Sequence, residues 1–118
     1  MRLLLTALTL LTSCFAGAQT AIKLDEVSRH TGDSIVVCGK VAGMRYFENS
    51  RNQPTFLNMG ADFPNQQVTV VIWGDVRKQF AGDLDDLKGK QICITGRITL
   101  YKDRPQILIH DPGQVRIQ

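Results

Sequence analysis

Apolar and polar residues alternate along several short stretches of this chain. Near its end, the apolar residues Ile92, Ile94, Ile98 and Leu100 are spaced mainly by two, which is the period of a β-strand with one buried face. A polar turn, YKDRP, separates this run from a second apolar run at residues 106–109. The pattern therefore predicts a long β-hairpin that makes up the last two strands of the fold.

Three more apolar runs precede the hairpin. Residues 35–45 form the first predicted strand, with bends at Gly39 and Gly43, because glycine within a strand often marks a bulge. Residues 55–59 form the second. Residues 68–73 form the third, which is apolar enough to be mostly buried and too short for a helix. The polar segments between these strands are predicted to be exposed loops.

Two short helices complete the predicted order of elements. Apolar residues at 22, 24 and 27, followed by Thr31-Gly32, indicate an N-terminal helix. Asp75 is placed to cap a second helix, in which apolar residues recur every four positions up to Leu84. This helix falls between the third and fourth strands.

The predicted class is all-β, a five-stranded Greek-key OB-fold barrel. Three strands, a helix and two further strands follow one another in the order of that fold. In OB-folds, the face of strands two and three and the adjoining loops commonly bind oligonucleotides or oligosaccharides. The same face is therefore where a binding site is expected here.

The first eighteen residues have the composition of a signal peptide, which leaves 19–118 as the OB-fold domain. Arg2 supplies the positive start, residues 3–11 the apolar segment, and Ala16-Gly-Ala18 a small-residue cleavage site. An exported protein, periplasmic or secreted, is predicted. The stretch Leu11-Thr-Ser-Cys14 also resembles a lipobox, so lipidation at Cys14 and a membrane anchor are the alternative.

The cysteines of the predicted domain are placed to form a disulfide. Strand alternation puts Cys38 and Cys93 on the outer faces of the first and fourth strands, which are neighbours in an OB barrel. An exported chain matures where such bonds form, so a Cys38–Cys93 disulfide is predicted, with two buried thiols as the alternative.

Neither the charge of the chain nor the spacing of its histidine and acidic residues indicates a particular partner, cofactor or reaction. The chain has fourteen basic and eleven acidic side chains, and loss of Arg2 with the leader reduces the net charge to +2. His30 and His110 lie on separate elements without metal-ligand spacing, and the acidic run at 83–86 is typical of a solvated loop. We therefore expect no metal, no cofactor and no enzymatic activity.

Several short motifs resemble the tRNA-anticodon-binding-like branch of OB-folds. They are V-C-G-K-V at 37–41, F-L-N-M at 56–59, the strand at 68–73 and C-I-T-G-R-I at 93–98. The chain is also similar to small exported OB proteins of bacteria. The resemblance implies that Phe56 stacks on a base, whereas the arginine and aspartate that often follow this motif are replaced by Gly60 and Ala61.

The chain is predicted to be a binding module for single-stranded DNA or RNA outside the cytoplasm. Its binding is expected to be weak and to show little sequence preference. Outward aromatic side chains stack on bases, and neighbouring basic side chains suit phosphates. The predicted site comprises Phe56, Asn58, Trp73, Arg45, Tyr46, Arg51, Tyr101, Lys102 and Arg104. Phe47 is expected to flank it. The alternatives are a protein-interaction or envelope-structural module with an envelope protein as partner and, third, a hydrolase.

Overall fold

The computed structural model describes residues 21–118, so the predicted signal peptide and Cys14 lie outside the described residues. Within that range the chain forms seven strands and four short helices. The strands are β1 (Ala21–Ile22), β2 (Ser34–Tyr46), β3 (Thr55–Met59), β4 (Val68–Ile72), β5 (Gln91–Tyr101), β6 (Arg104–Ile109) and β7 (Val115–Ile117). One α-helical turn, α1, spans Gly74–Arg77, and 3-10 helices span Leu24–Arg29, Leu84–Leu87 and Pro112–Gln114.

Five of the strands close into a barrel. The strand order β2-β3-β4-β6-β5 returns to its start through the pairing of β5 with β2. All of these pairings are antiparallel except that of β4 with β6, which is parallel. The all-β class and the predicted five-stranded Greek-key barrel are confirmed.

Strands β2 and β5 are long because each serves two parts of the barrel. The first half of β2 pairs with β5 and its second half with β3, and the change of partner coincides with a register shift between Val41 and Gly43. The predicted bend at Gly43 is therefore confirmed. Gly39 instead lies in regular register opposite Ile92, and an added Cβ there would lie 2.3 Å from Cδ1 of Leu24. A side chain at position 39 would therefore displace the end of the Leu24 side chain, which belongs to the first 3-10 helix.

The barrel interior is filled by one row of apolar side chains from each strand. Leu57 and Met59 on β3 and Val70 on β4 are completely buried, as strand alternation predicts. Val27 of the first 3-10 helix is 1% exposed and belongs to the same core, so this helix covers part of the barrel. The remaining fully buried side chains of large volume include Ile72, Ile92, Ile94, Ile98, Ile107 and Ile109.

The two predicted helices are shorter than expected. The N-terminal segment begins with two residues of strand, paired in parallel with β2, and continues as the first 3-10 helix. Helix α1 has only four residues, with Asp75 inside it, so the prediction that Asp75 caps a helix reaching Leu84 is wrong. Asp83 instead caps a separate 3-10 turn, Leu84–Leu87, by accepting a hydrogen bond from the Asp85 N–H. Leu84 therefore belongs to this turn and not to α1.

The closing hairpin, β5 and β6, has a tight turn and is followed by a further strand, β7. Lys102 and Asp103 both have positive φ, 50° and 62°, as a two-residue hairpin turn requires. After β6 the chain returns along β5 as β7, which sequence alternation did not predict. Among residues 21–118, no helix has the length and apolar character needed to cross a bilayer.

The predicted disulfide between Cys38 and Cys93 is present. The two residues are direct register partners on β2 and β5. Their neighbours Val37 and Ile94 point into the barrel and are completely buried, so the bond lies on the outer face. A disulfide is compatible with an oxidising extracellular compartment.

Candidate functional site

A groove lies on the outer face of β3 and β4. Phe56 and Asn58 of β3 line it, together with Thr69 and Val71 of β4, their register partners. These residues alternate with the inward row of the barrel and therefore project to the outside. The groove thus occupies the face on which the sequence predicted a binding site.

The walls of the groove come from three other segments. The end of β2 and the following residue supply one wall, the β5–β6 hairpin another, and the loop between β3 and β4 the third. The groove encloses about 670 Å³. Its lining residues are Met44, Arg45, Phe47, Phe56, Asn58, Asp62, Phe63, Gln66, Thr69, Val71, Tyr101, Lys102, Arg104, Pro105 and Gln106.

Four aromatic rings contribute to this lining. Phe47 and Phe56 form an edge-to-face pair with ring centroids 5.2 Å apart, which fixes the half-buried Phe56 ring against its neighbour. Tyr101 and Phe63 are instead 62% and 70% exposed. The groove therefore has a fixed aromatic pair and two accessible rings.

Within the described part of the chain, the basic side chains of the groove make no ion pair. Within residues 21–118 the one ion pair joins His30 and Asp33, outside the groove. The Arg45 guanidinium lies 4.8 Å from the Phe47 ring centroid, and the Lys102 ammonium lies 5.5 Å from that of Tyr101. Each cation is held beside a ring, with its charge available to an anion.

Arg104 connects two walls of the groove. Its guanidinium donates to the backbone carbonyl of Pro64 and, at 3.4 Å, to Oε1 of Gln66, both in the β3–β4 loop. Gln66 in turn donates to Oγ1 of Thr69 at 3.0 Å. These bonds tie the hairpin, the loop and β4 together, so they hold three parts of the groove in place relative to one another.

One carboxylate lies among these groups. Oδ1 of Asp62 accepts from the Phe63 N–H at 2.8 Å and from Nδ2 of Asn58 at 3.3 Å. Gly43, opposite Asn58 on β2, makes room for it, since an added Cβ would lie 2.0 Å from the same oxygen. The absence of a side chain at Gly43 is therefore required for the position of Asp62.

Three of the predicted site residues lie elsewhere. Trp73 follows the end of β4 and, 36% exposed, lines a separate shallow pocket of about 450 Å³ with Asn52, Gln53, Gly74, Asp75 and Lys78. Tyr46 pairs with Thr55 on the inward row, and its ring is covered by the Arg77 guanidinium at 3.8 Å. Arg51 is exposed in the β2–β3 loop and lines neither pocket.

The β3–β4 loop supplies groove residues that the sequence did not reveal. Asp62, Phe63 and Gln66 all fall in a segment whose Pro64-Asn65 and polar residues indicate only a turn. The one available signal in the sequence was Phe63 itself, a large apolar residue within an otherwise polar turn segment, and the structure shows its side chain exposed.

Between residues 21 and 118 no three His, Cys, Asp or Glu side chains are grouped so that they could hold a metal ion. His30 is bonded to Asp33 at 3.1 Å, and His110 is exposed. The groove combines exposed aromatic rings, basic side chains and a few polar atoms fixed by hydrogen bonds.

At the level of sequence, the chain matches no protein-family model and no curated protein. Solved structures with a similar fold include a putative aspartyl-tRNA synthetase from Leishmania major Friedlin, with 13% identity and a TM-score of 0.57 over 91% of this chain and 22% of that one. Yeast Stn1 and Ten1 give 15% identity and a TM-score of 0.60, over 91% of this chain and 66% of the other.

A third similar structure is an OBody, AM1L10, bound to hen egg-white lysozyme. Its identity is 17% and its TM-score 0.52, and the match covers 86% of this chain and 95% of that one. The present chain thus spans about a fifth of the synthetase chain and nearly all of the OBody. At such identities the likeness concerns the fold, and together with the closed five-stranded barrel it shows that this chain is an OB-fold.

Proposed function

We propose that this chain is a non-catalytic binding module whose groove on β3 and β4 holds single-stranded nucleic acid weakly. The observation that carries the proposal is one groove that combines aromatic rings with cations that make no ion pair within residues 21–118. Phe56 provides a fixed ring, and Arg45 lies directly opposite it on β2 as its register partner. A base stacked on Phe56 would therefore have a positive charge close to its phosphate.

Single strands suit this groove better than a duplex. Exposed bases are needed for stacking, which is worth about 1 to 3 kcal/mol per base and tolerates different sequences. Tyr101 and Phe63, both largely exposed, offer further rings along the same groove. A duplex would present its phosphates and would keep its bases away from these rings.

Low affinity follows from the small number of charges. Arg45, Lys102 and Arg104 are the three groove cations, and the whole chain carries a net charge of only +3. Each neutralised phosphate of a single strand contributes about −0.7 to the salt slope, so three give about −2. Binding is expected to be strongest at low salt.

The proposed setting is outside the cytoplasm. The Cys38–Cys93 disulfide supports an oxidising compartment, as does the leader-like composition of residues 1–18. Under this proposal 19–118 is the working domain, periplasmic or secreted, with lipidation at Cys14 as the alternative form. The ligand would be DNA or RNA that is itself outside the cell or in the periplasm.

Fluorescence anisotropy with labelled oligonucleotides tests the proposal. Wild-type protein should bind a short mixed-sequence single strand at low salt, and an equivalent duplex much less. Phe56→Leu keeps an apolar side chain and loses the ring, so the affinity should fall by about 5- to 150-fold, the value of one stacked base. Phe80→Leu is the matched control, because Phe80 is also half-buried and lies outside the groove.

The result that would reject nucleic-acid binding is equally clear. If anisotropy stays flat for every single strand at low salt, the groove does not bind nucleic acid under any physiological condition. If Phe56→Leu leaves the affinity unchanged, Phe56 does not stack on a base and the binding site does not lie at this position of β3.

A protein partner is the second candidate function. The exposed Phe63 and Tyr101 rings favour it, since aromatic side chains are enriched at protein interfaces. The OBody bound to lysozyme is an OB-fold with a protein ligand. A pull-down from envelope extract with wild-type protein and the double variant Phe63→Ser/Tyr101→Ser would identify a partner that depends on these rings.

A further inference from the structure

We propose that the groove prefers guanine at the position next to Phe56, because Asp62 and Asn58 present hydrogen-bond acceptors there. This inference rests on the proposed nucleic-acid binding and adds one position of base preference to an otherwise tolerant groove. It concerns the single acidic side chain among the groove residues.

Asp62 is fixed in place and keeps one free oxygen. Its Oδ1 accepts from the Phe63 N–H and from Nδ2 of Asn58, and the carboxylate rests on Gly43. Its Oδ2 makes no hydrogen bond and no ion pair within residues 21–118, and the side chain is exposed in the groove. A carboxylate held in this way is an acceptor whose direction is set before the ligand arrives.

Asn58 supplies a second acceptor beside it. The residue is 5% exposed, and its Nδ2 is used on Asp62, which leaves Oδ1 as the available atom. No polar side-chain atom of the described part of the chain is both fully buried and unpartnered. Since Oδ1 has no partner there, it reaches solvent, and the groove is the open side of this residue.

Two neighbouring acceptors discriminate among the four bases. The Watson–Crick edge of guanine carries two adjacent donors, N1–H and the N2 amino group. Adenine and cytosine offer one amino group each, and thymine or uracil offers a single N–H between two carbonyl oxygens that the acceptors repel. Bases splayed out of a single strand are read on this edge. Guanine is therefore the best match and thymine the worst.

The register of the strands separates the groove's cation from its acceptors, so that the phosphate and the edge of a bound base would meet different side chains. Phe56 and Asn58 are two residues apart on β3, or about 6.8 Å, so a base stacked on Phe56 reaches Asn58 with its edge. Arg45 lies beside Phe56 on β2, whereas Gly43 lies beside Asn58. The cation thus meets the backbone and the acceptors meet the base edge, which avoids repulsion between Asp62 and phosphate.

Competition between matched oligonucleotides tests this preference. The probes are thymine oligomers of about eight nucleotides, within the site size of an OB-fold, with one central guanine, inosine, adenine or cytosine, or thymine throughout. Wild-type protein should bind the guanine probe roughly 5- to 150-fold more tightly than the thymine probe, the discrimination of a good bidentate contact. Inosine, which lacks the N2 amino group, should fall between them.

Asp62→Asn assigns the effect to the carboxylate. Asparagine keeps the acceptor that binds Phe63 and Asn58 and places a donor where the free oxygen was, so the guanine preference should disappear. Affinity for the thymine probe should hold or rise, because a negative charge has left the groove. Asp86→Asn is the matched control, since Asp86 is exposed and lies outside the groove.

The outcomes separate this inference from the proposed function. Equal binding of all five probes to wild-type protein would overturn the guanine preference and leave nucleic-acid binding intact. A guanine preference that survives Asp62→Asn would also overturn it. Absence of binding to any probe would overturn both, and the mixed-sequence experiment with Phe56→Leu would show the same result independently.

Discussion

Cys38 on β2 and Cys93 on β5 face each other directly across the pair of strands that closes the barrel, and their sulfur atoms are bonded. The two residues are 55 positions apart in sequence. The loop between them contains β3 and β4, the two strands that form the floor of the groove. The bond therefore constrains the part of the chain that carries the candidate site.

Removal of this bond should lower the stability of the domain strongly. By the loop-entropy model, closing a loop of this length stabilises the folded state by about 4 kcal/mol. We expect Cys38→Ala/Cys93→Ala to lower the urea midpoint accordingly, and a reductant to do the same to wild-type protein. The double variant is the control for the reductant, which should leave it unaffected. Two free thiols in the mass of unreduced protein would contradict the assignment.

Processing of the leader is a second measurable expectation. The intact mass of mature protein should correspond to a chain that starts at Gln19, because Ala16-Gly-Ala18 is an acceptable peptidase site. Cys14→Ser should leave this mass unchanged, whereas a bulky side chain at Ala18 should block cleavage. A mature chain that starts at an acylated Cys14 would show the lipobox alternative to be right.

Strand alternation predicted the fold well because burial in a small barrel imposes a period of two. The inward rows of β3 and β4, and the outward placement of both cysteines, follow directly from that period. The helices were predicted less well. A recurrence of apolar residues every four positions from Val76 to Leu84 favoured one helix, whereas in the structure α1 ends at Arg77 and a separate 3-10 turn begins after the Asp83 cap.

Strand alternation also predicted part of the groove, namely the residues that lie on the strands themselves. Alternation placed Phe56 and Asn58 on the outer face, but it could not show that β4 ends before Trp73, which therefore lines another pocket. It also could not show that the β3–β4 loop returns to the groove. That contact depends on the space above Gly43, a relationship between residues distant in sequence.

Gln114 offers a test of the contacts that attach the last strand. Its Nε2 donates to the carbonyls of Thr95 and Leu108 at 2.9 and 3.4 Å, and its Oε1 accepts from the N–H groups of His110 and Asp111 at 2.7 and 3.0 Å. Loss of these bonds in Gln114→Ala should cost about 1 to 3 kcal/mol of unfolding free energy.

Urea unfolding followed by the fluorescence of Trp73, the single tryptophan, measures this change. Gln118→Ala serves as the control, because the described contact of Gln118 is through its backbone N–H to Gln91. Equal stability of the two variants would mean that the Gln114 side chain contributes nothing.

Salt dependence distinguishes the groove cations from other basic side chains. Arg45→Ala should lower the affinity for a single strand at low salt and reduce the magnitude of the salt slope by about 0.7, one phosphate contact, between roughly 50 and 200 mM salt. Lys102→Ala should have the same effect. Lys40→Ala is the matched control, because Lys40 is an exposed cation on the same strand as Arg45 and lies outside the groove. A slope that changes equally in all three variants would indicate diffuse attraction to the whole domain and would contradict a localised path for the phosphates.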